Sequence, residues 1–287
     1  MYVRKNQRDL TRTERRRYVA AVLELKRTGV YDRFVRTHIE YYTADGDTGL
    51  RVAHMGPSFL PWHRRFLLDF ERALRKVDPS VSVPYWDWTR DNSPSSSIWG
   101  EDFMGGNGRR GDLQVMTGPF AYRNGNWDIN VGVTDVEFLT RDFGRPHQPV
   151  SLPTARDLAR AEADPVYDAA PWNSVATEGF RNKLEGWGQG TGVERWRNHN
   201  RVHRWVSGLM LGGGSVNDPV FWLHHSFVDL VWSRWQRRNP SARYLPAESS
   251  SRNASGSRAV GREQRMPPWN VTPASLWDHS GIYRYQS

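Results

Sequence analysis

Histidines lie on the apolar faces of the helices that this sequence predicts. After an amphipathic helix over about residues 14–27, a second helix from about residue 30 places His38 on one stripe with Tyr31 and Phe34. A third helix is predicted from Pro61 to about residue 77, and His63 leads its apolar face. His54 stands between these two helices in an irregular stretch. Imidazoles that point into a core need partners there.

A second histidine region follows in the last third of the chain. His199 and His203 are four residues apart on a predicted helix over 198–211, so both rings project from one face at a spacing that can chelate a metal. The next helix, predicted over 218–237, begins with Asp218 as N-cap, and His225 heads a stripe that includes Asp229. Three inward histidines in each region favour metal binding over isolated, satisfied core histidines.

The rest of the chain predicts long ordered loops. Residues 79–171 are rich in Gly, Pro, Asn and aromatic residues, with one possible helix turn at 158–163. Fourteen Trp residues can anchor such loops, because each buries a large ring while its N–H finds a nearby carbonyl. Residues 246–265 are polar and predict a mobile surface insertion. We expect one mainly α domain over 1–287, with few short strands.

The composition narrows the chemistry. Cysteine is absent, which excludes disulfides, thiolate metal sites and cysteine nucleophiles. Donor sets made only of imidazole suit copper or zinc, whereas Mg²⁺, Ca²⁺ and Mn²⁺ prefer oxygen ligands. A single zinc hydrolase centre stays open, but it would leave three inward histidines unused, and no HExxH motif is present. Two copper ions, each held by three imidazoles, would use all six and could bind O₂ between them.

The net charge of +9 is built from 36 Arg but only four Lys. The basic residues are scattered and mixed with 31 acidic ones, so we expect no nucleic-acid partner. No apolar run reaches the ~20 residues of a membrane span, and no signal peptide is recognisable, so we expect no membrane association.

Several motifs then resemble one family. The strings HMGPSFLPWHRRFLLDFERAL, VPYWDW, PWNS, FRNKLEGW, HNRVH, NDPVFWLHH and PPWN are similar to the tyrosinase branch of type-3 copper proteins, in particular its compact actinobacterial enzymes. The resemblance implies a four-helix bundle around a dinuclear copper centre, as in tyrosinase and hemocyanin central domains. It implies His38, His54 and His63 as ligands of one copper, and His199, His203 and His225 as ligands of the other. His224 would be a packing residue.

The implied activity is oxidation of phenols with O₂, by ortho-hydroxylation of monophenols and oxidation of o-diphenols to o-quinones. Glu185 and Asn200 match positions that hold a water for the phenolic proton in this family. Arg204, Gly213 and Ser215 are expected by analogy to contact substrate. Phe221 is a candidate to stack on a ligand ring, and Asp229 a candidate to orient one.

Other functions stay open at this stage. One alternative is a catechol oxidase or o-aminophenol oxidase with little monophenolase activity, because residues after His38 and the long stretch between Glu185 and His199 depart from the family pattern. Another is a hemocyanin-like oxygen-binding protein. The resemblance also implies a caddie protein that delivers copper and covers the active site. We expect a cytoplasmic enzyme, or one secreted only through that partner's signal peptide.

Overall fold

Helices dominate the described part of the chain. The computed structural model describes residues 1–188, 190–191, 195–250 and 256–286. The α-helices in these ranges are α1 Arg12–Arg27, α2 Val30–Tyr41, α3 Phe59–Val77, α4 Ala155–Glu162, α5 Phe180–Glu185, α6 Asn198–Val206 and α7 Val220–Arg238. The strands are β1 Tyr2–Arg4, β2 Leu50–Arg51, β3 Arg258–Ala259 and β4 Tyr283–Tyr285, and they pair in parallel as β1–β4 and β2–β3. The mainly α prediction with few short strands is confirmed.

The first two helices follow their local signals closely. Thr11 caps α1, and its hydroxyl and the Glu14 carboxylate exchange hydrogen bonds with each other's backbone N–H in a capping box. That box starts the helix two residues before the predicted boundary. Gly29 then adopts a φ of 71°, which ends α1 and allows α2 to begin at once in a new direction.

Three predicted boundaries need correction. Helix α3 begins at Phe59 rather than Pro61, because proline is tolerated in a first turn whose N–H groups have no intrahelical acceptor. Helix α6 ends at Val206 instead of 211, since Ser207 has a φ of 59° and a 3₁₀ turn follows. The expected turn at 158–163 is the eight-residue helix α4.

Helix α7 starts close to the predicted position. Pro219 already has a helical backbone, and the Asp218 carboxylate accepts a hydrogen bond from the N–H of Val220 at 3.1 Å. The same carboxylate also pairs with the buried Arg141 at 2.7 Å. The helix start is therefore attached to the long loop region that precedes α4.

Tryptophan rings anchor that loop region, as expected. Trp86, Trp88 and Trp127 are fully buried. The indole N–H of Trp86 donates to the carbonyl of Asp91 at 2.8 Å, and that of Trp127 donates to Asn217 at 3.2 Å. These bonds satisfy the polar ends of Trp86 and Trp127, and the apolar surface of all three rings fills the core.

The long helices pack on one another around the histidines. Helix α3 contacts α1 and α7, α1 contacts α2, and α6 contacts α7. Helices α2, α3, α6 and α7 carry all the predicted histidine ligands except His54. These contacts are consistent with a helical core, and the finer description as a four-helix bundle stays a prediction.

A buried ionic network joins both ends of the chain to the helices. Pairing of β1 with β4 places Arg4 beside Glu71 at 2.8 Å and Asp229 at 3.1 Å. Asp229 also accepts from Arg64 at 2.6 Å and from the hydroxyl of Tyr285 at 2.6 Å. The suggestion that Asp229 orients a histidine ligand is therefore wrong. Its oxygens hold arginines and tyrosine hydroxyls instead.

The segment 246–265 is more closely attached than the sequence predicted. Strand β3 pairs with β2, and Val260 is fully buried. The Tyr244 hydroxyl donates to the Val260 carbonyl at 2.8 Å. Residues 251–255, in the middle of the expected mobile insertion, lie outside the described residues.

Among the helices in the described ranges, none combines the length and apolar character needed to cross a bilayer.

The network around Asp229 gives a stability prediction. Asp229→Asn should lower the free energy of unfolding by about 3–5 kcal/mol, because it leaves Arg4 and Arg64 buried without full compensation. Chemical denaturation at pH 7 measures this, with Asp69→Asn on α3 as the control. Asp69 pairs only with partly exposed arginines, so its loss should cost below about 1 kcal/mol.

The same network has a pH dependence. Burial alone would raise the pKa of Asp229, but Arg64 and Arg4 outweigh it and hold that pKa below its ordinary value. The stabilisation is therefore present above the unfolded-state pKa of about 4 and is lost as pH falls further. We therefore expect the difference in free energy of unfolding between the wild-type chain and Asp229→Asn to shrink below about pH 4. A difference that stayed constant from pH 7 to pH 3 would contradict this assignment.

Candidate metal centre and its cavity

Three histidines from separate elements meet in the first group. His38 lies on α2, His54 on the following loop and His63 on α3, and all three are buried. One ring nitrogen of each lies within 4.8 Å of the others. Nδ1 of His38 donates to the carbonyl of Gly213 at 2.6 Å, and Nδ1 of His63 donates to that of Phe59 at 2.9 Å. These bonds leave Nε2 of both rings buried without a hydrogen-bond partner in the described part of the chain.

The second group combines α6 with α7. Nδ1 of His203 donates to the carbonyl of Met210 at 2.7 Å, and Nδ1 of His199 lies 3.2 Å from the carbonyl of Glu185. With protons on Nδ1, the Nε2 atoms of both rings carry lone pairs. Nε2 of His225 lies 3.3 Å from that of His199 and 3.4 Å from that of His203. This convergence of three ring nitrogens suits a cation bound between them.

The protonation state suits metal binding. Burial lowers the pKa of His38 and of His203 to about 4, despite their favourable hydrogen bonds to carbonyls. Burial, followed by neighbouring imidazoles, also lowers the pKa of His54, His199 and His225 well below the ordinary value. The rings are therefore neutral at pH 7, which is the form that binds a metal.

The adjacent His224 and His225 have different surroundings. A ring nitrogen of His224 also lies within 4.8 Å of those of the second group. However, the His224 ring stacks on that of His199, with centroids 5.0 Å apart and an interplanar angle of 15°. His225 instead directs Nε2 at both other histidines. Phe221 stacks on the His225 ring at 4.1 Å, as the sequence suggested. These contacts support His225 as the ligand and His224 as the packing residue.

The two groups adjoin. The rings of His63 and His225 stack with centroids 4.3 Å apart, and the Phe59 ring lies between His63, at 4.9 Å, and His199, at 4.8 Å. Two ions bound to these groups would therefore be neighbours. Imidazole nitrogens alone, with Nδ1 of four rings beside backbone carbonyls, form a donor set that fits copper.

A cavity of about 230 Å³ opens over the histidines. His54, His199 and His203 line its inner part, while partly exposed residues line the outside. The remaining lining residues are Tyr42, Met55, Trp187, Trp196, Asn200, Arg204, Met210, Leu211, Gly212 and Ser215. Its volume is below the range of about 300–1,000 Å³ found for drug-sized ligands, so it suits a single aromatic ring.

The two residues expected to act on the phenolic proton lie beside His199. Asn200 lines the cavity, and its Oδ1 lies 3.1 Å from Nδ1 of His199. Glu185 is fully buried, and its carboxylate accepts from the N–H of Met55 at 2.5 Å and from Arg181 at 2.8 Å. Nδ2 of Asn200 is buried and has no partner among the described residues.

The three expected substrate contacts lie at different distances from the cavity. Arg204 and Ser215 line it. Gly213 lies behind His38, and its carbonyl accepts a hydrogen bond from Nδ1 of that ring. The neighbouring Gly212, instead of Gly213, borders the cavity.

Three further lining residues come from the two stretches that depart from the family pattern, although the sequence assigned none of them a role. Tyr42 packs on the His54 ring at 4.7 Å, and Trp187 and Trp196 line the opening. Both tryptophans lie in the stretch between Glu185 and His199 that the sequence marked as unusually long, and this was the only signal for them.

Comparisons with known proteins agree with this site. A family model described as the common central domain of tyrosinase matches residues 28–238. The chain is 53% identical over 286 residues to the tyrosinase of Streptomyces antibioticus, covering 99% of each protein. It is 43% identical over 312 residues to the grixazone synthase of Streptomyces griseus, again covering 99% of each. A polyphenol oxidase structure from Thermothelomyces thermophila superposes with a TM-score of 0.63 at 26% identity, covering 82% of this chain and 70% of that one.

The histidine-rich helical fold thus belongs to the copper oxidoreductases. More specifically, the chain belongs to the tyrosinase family. It is an oxidoreductase of the tyrosinase type, which oxidises phenols with copper.

Copper titration tests the choice between the adjacent histidines. We expect the wild-type chain to bind about two copper ions per chain and His225→Ala to bind about one, because His225 completes the second group. His224→Ala is the matched control and should keep both ions. Metal analysis after dialysis measures the stoichiometry. Loss of copper from His224→Ala with full retention in His225→Ala would reverse the assignment.

Proposed function

We propose that His38, His54 and His63 hold one copper ion, and that His199, His203 and His225 hold a second. The chain then hydroxylates monophenols at the ortho position and oxidises o-diphenols to o-quinones, with O₂ as co-substrate. The observation that carries this proposal is the convergence of histidine ring nitrogens in two adjoining groups beneath a cavity of single-ring size. Two copper ions bound there would supply the redox chemistry that couples reduction of O₂ to oxidation of the phenol.

The chain's own residues orient the ring. Partly exposed tryptophans line the cavity together with His54 and His199, which are buried, so a phenol enters with its hydroxyl towards the histidines. The Met210 carbonyl and the other backbone acceptors fix the imidazole planes before substrate arrives. This preorganisation lowers the cost of aligning the reacting atoms.

The phenolic proton needs an acceptor, because the pKa of a phenol is about 10. The backbone carbonyl of Glu185 and Oδ1 of Asn200 both lie beside Nδ1 of His199. In the proposed step, a water held between the Glu185 carboxylate and the Asn200 amide takes the proton from the phenol oxygen and passes one of its own protons to the Glu185 carboxylate. Arg181 and the Met55 N–H hold the carboxylate in place for this role.

A second candidate function is oxidation of catechols or o-aminophenols with little monophenolase activity. One observation favours it: the unusually long stretch after Glu185 brings two tryptophans to the cavity. A hemocyanin-like oxygen carrier is the third candidate, and any sustained turnover would exclude it.

A partner also belongs to this proposal. A small caddie protein that delivers copper would cover the cavity opening, where Leu211 and Trp196 are partly exposed. Export through the signal peptide of such a partner would place the enzyme outside the cell.

Oxygen uptake on three substrates decides among the activities. With the copper-loaded chain we expect consumption of O₂ with tyrosine, catechol and o-aminophenol. Turnover of catechol and o-aminophenol without tyrosine would contradict the monophenolase proposal and favour the second candidate. Reversible O₂ binding without turnover of any substrate would favour the carrier.

Substitution of Glu185 tests the proton acceptor. Glu185→Gln should lower kcat/KM for a monophenol by about 100-fold, with a smaller effect on an o-diphenol, because hydroxylation depends on the phenolic proton's removal. Asp168→Asn is the matched control, since Asp168 pairs with the same Arg181 at 2.7 Å. Both variants disturb Arg181, but only Glu185→Gln should change the monophenol-to-diphenol ratio. Equal ratios in the two variants would refute the assigned role.

A further inference from the structure

An easily oxidised ring lies against the first histidine group. Trp62 directly precedes His63 on α3, and its ring centroid is 5.0 Å from that of His63 and 6.3 Å from that of His38. Phe66 also contacts His38, at 6.1 Å, but a phenyl ring gives up an electron far less readily than an indole ring. Of the tryptophans that the structure describes, Trp62 alone has a ring contact with a histidine of either predicted ligand set.

A second tryptophan connects Trp62 with the surface. The ring centroids of Trp62 and Trp269 are 5.2 Å apart. Trp62 is fully buried, whereas Trp269 is partly exposed and borders a surface groove between α2 and α3. Electron transfer between rings in contact is fast, because its probability falls steeply with distance. The two indoles therefore form a continuous path of oxidisable rings from His63 to solvent.

This path ends away from the substrate cavity. The groove that Trp269 borders shares no lining residue with the cavity over the histidines. Tyr42 is also oxidisable and contacts His54 at 4.7 Å, but it lines the substrate cavity itself. Oxidation of Tyr42 would leave the electron deficiency beside the substrate. The chain has no cysteine to take it up, so Trp62 and Trp269 offer the route that leads out.

The hydrogen bond of Trp62 suits electron transfer without proton transfer. Its Nε1–H donates to the carbonyl of Pro267 at 3.0 Å. A backbone carbonyl accepts a hydrogen bond but is too weak a base to remove the proton. An oxidised Trp62 therefore keeps its proton and can regain an electron directly from Trp269, which lies two residues after Pro267 in the same segment.

The charges beside the exposed ring are balanced. The Arg65 guanidinium carbon lies 5.7 Å from the Trp269 ring centroid, and Arg65 pairs with Asp69 at 2.9 Å. The carboxylate offsets the positive charge that would otherwise oppose removal of an electron from Trp269.

We propose that Trp62 and Trp269 form an electron-transfer path that protects the histidine ligands when the metal centre is oxidised and no phenol occupies the cavity. One electron passes from the Trp62 ring to the oxidised centre, and Trp269 replaces it. A one-electron reductant in solvent, such as ascorbate or an o-diphenol, then restores Trp269 and releases its proton to water. No bond of the protein forms or breaks. This function goes beyond the proposed one but depends on the copper ions proposed there.

Hydrogen peroxide supplies the oxidant for the test. The copper-loaded chain is treated with peroxide in aerated buffer without phenol or reductant, and oxidised residues are located by peptide mass spectrometry. Without a reductant, oxidised Trp269 reacts with water and O₂, so oxygenated tryptophan should accumulate there. We expect several-fold more of it than in the copper-free chain, and ascorbate should suppress it.

Variants assign the effect to the two rings. Trp62→Phe should remove most of the copper-dependent oxidation of Trp269 and increase oxidation of the histidines, because phenylalanine does not pass the electron on. Freeze-quench electron paramagnetic resonance should show a tryptophan radical in the wild-type chain and a much weaker one in Trp62→Phe. Trp269→Phe should shift oxidation to Trp62 and speed the loss of copper several-fold.

Trp277→Phe is the matched control. Trp277 is a partly exposed tryptophan in the same C-terminal segment, but its ring contacts Tyr167 and Trp232 rather than Trp62. This variant should show the wild-type pattern of oxidation and the wild-type rate of copper loss.

The outcomes separate this inference from the proposed function. A wild-type chain that retained no copper before peroxide was added would overturn the proposed function. With copper retained, equal oxidation of Trp269 in the loaded and copper-free chains, or in the wild-type chain and Trp62→Phe, would overturn the electron-transfer path alone. Because Trp269 lies near the surface, Trp269→Phe tests the path even if Trp62→Phe folds poorly. An unchanged rate of copper loss in Trp269→Phe would also overturn it.

Discussion

The burial of neutral imidazoles with their inner nitrogens unpaired is the constraint on which the rest of this structure depends. The backbone carbonyls of Gly213, Phe59 and Met210 accept hydrogen bonds from Nδ1 of three rings, and this directs the opposite nitrogens inwards. Without a cation, those lone pairs would lose their hydrogen bonds to water and gain nothing in return. The fold is therefore organised to bind metal, and metal binding should contribute to its stability.

Buried arginines supply the framework for this arrangement. Arg4 and Arg64 join the chain ends to α3 and α7, Arg141 attaches the loop region to the start of α7, and Arg181 holds Glu185. Each of these arginines lies within hydrogen-bonding distance of a carboxylate. A planar guanidinium can donate several hydrogen bonds to carboxylates in a fixed geometry, which a lysine ammonium cannot. The preference for Arg over Lys thus has a structural use inside the molecule.

The predictable part of the fold was the part with a regular period. Helices α1, α2, α3 and α7 are long enough for their apolar stripes to identify them, whereas α5 has six residues and shows no period. The end of α6 was misplaced because Ser207 adopts a positive φ without being glycine. The pairing of Trp187 with Trp196 depends on how α5 and α6 lie relative to each other, so no local pattern reveals it.

The sequence alone determined which side chains can do the chemistry: six histidines on buried faces, no cysteine, and motifs that resemble tyrosinases. The tertiary structure decided how they meet. His224 and His225 are both buried on α7, and only the position of α6 shows that Nε2 of His225 faces His199 and His203. It also showed that Asp229 serves the ionic framework and that Gly212, rather than Gly213, borders the cavity. Periodicity reports which face of a helix is buried, while the atom that a nitrogen faces depends on a second element far away in the sequence.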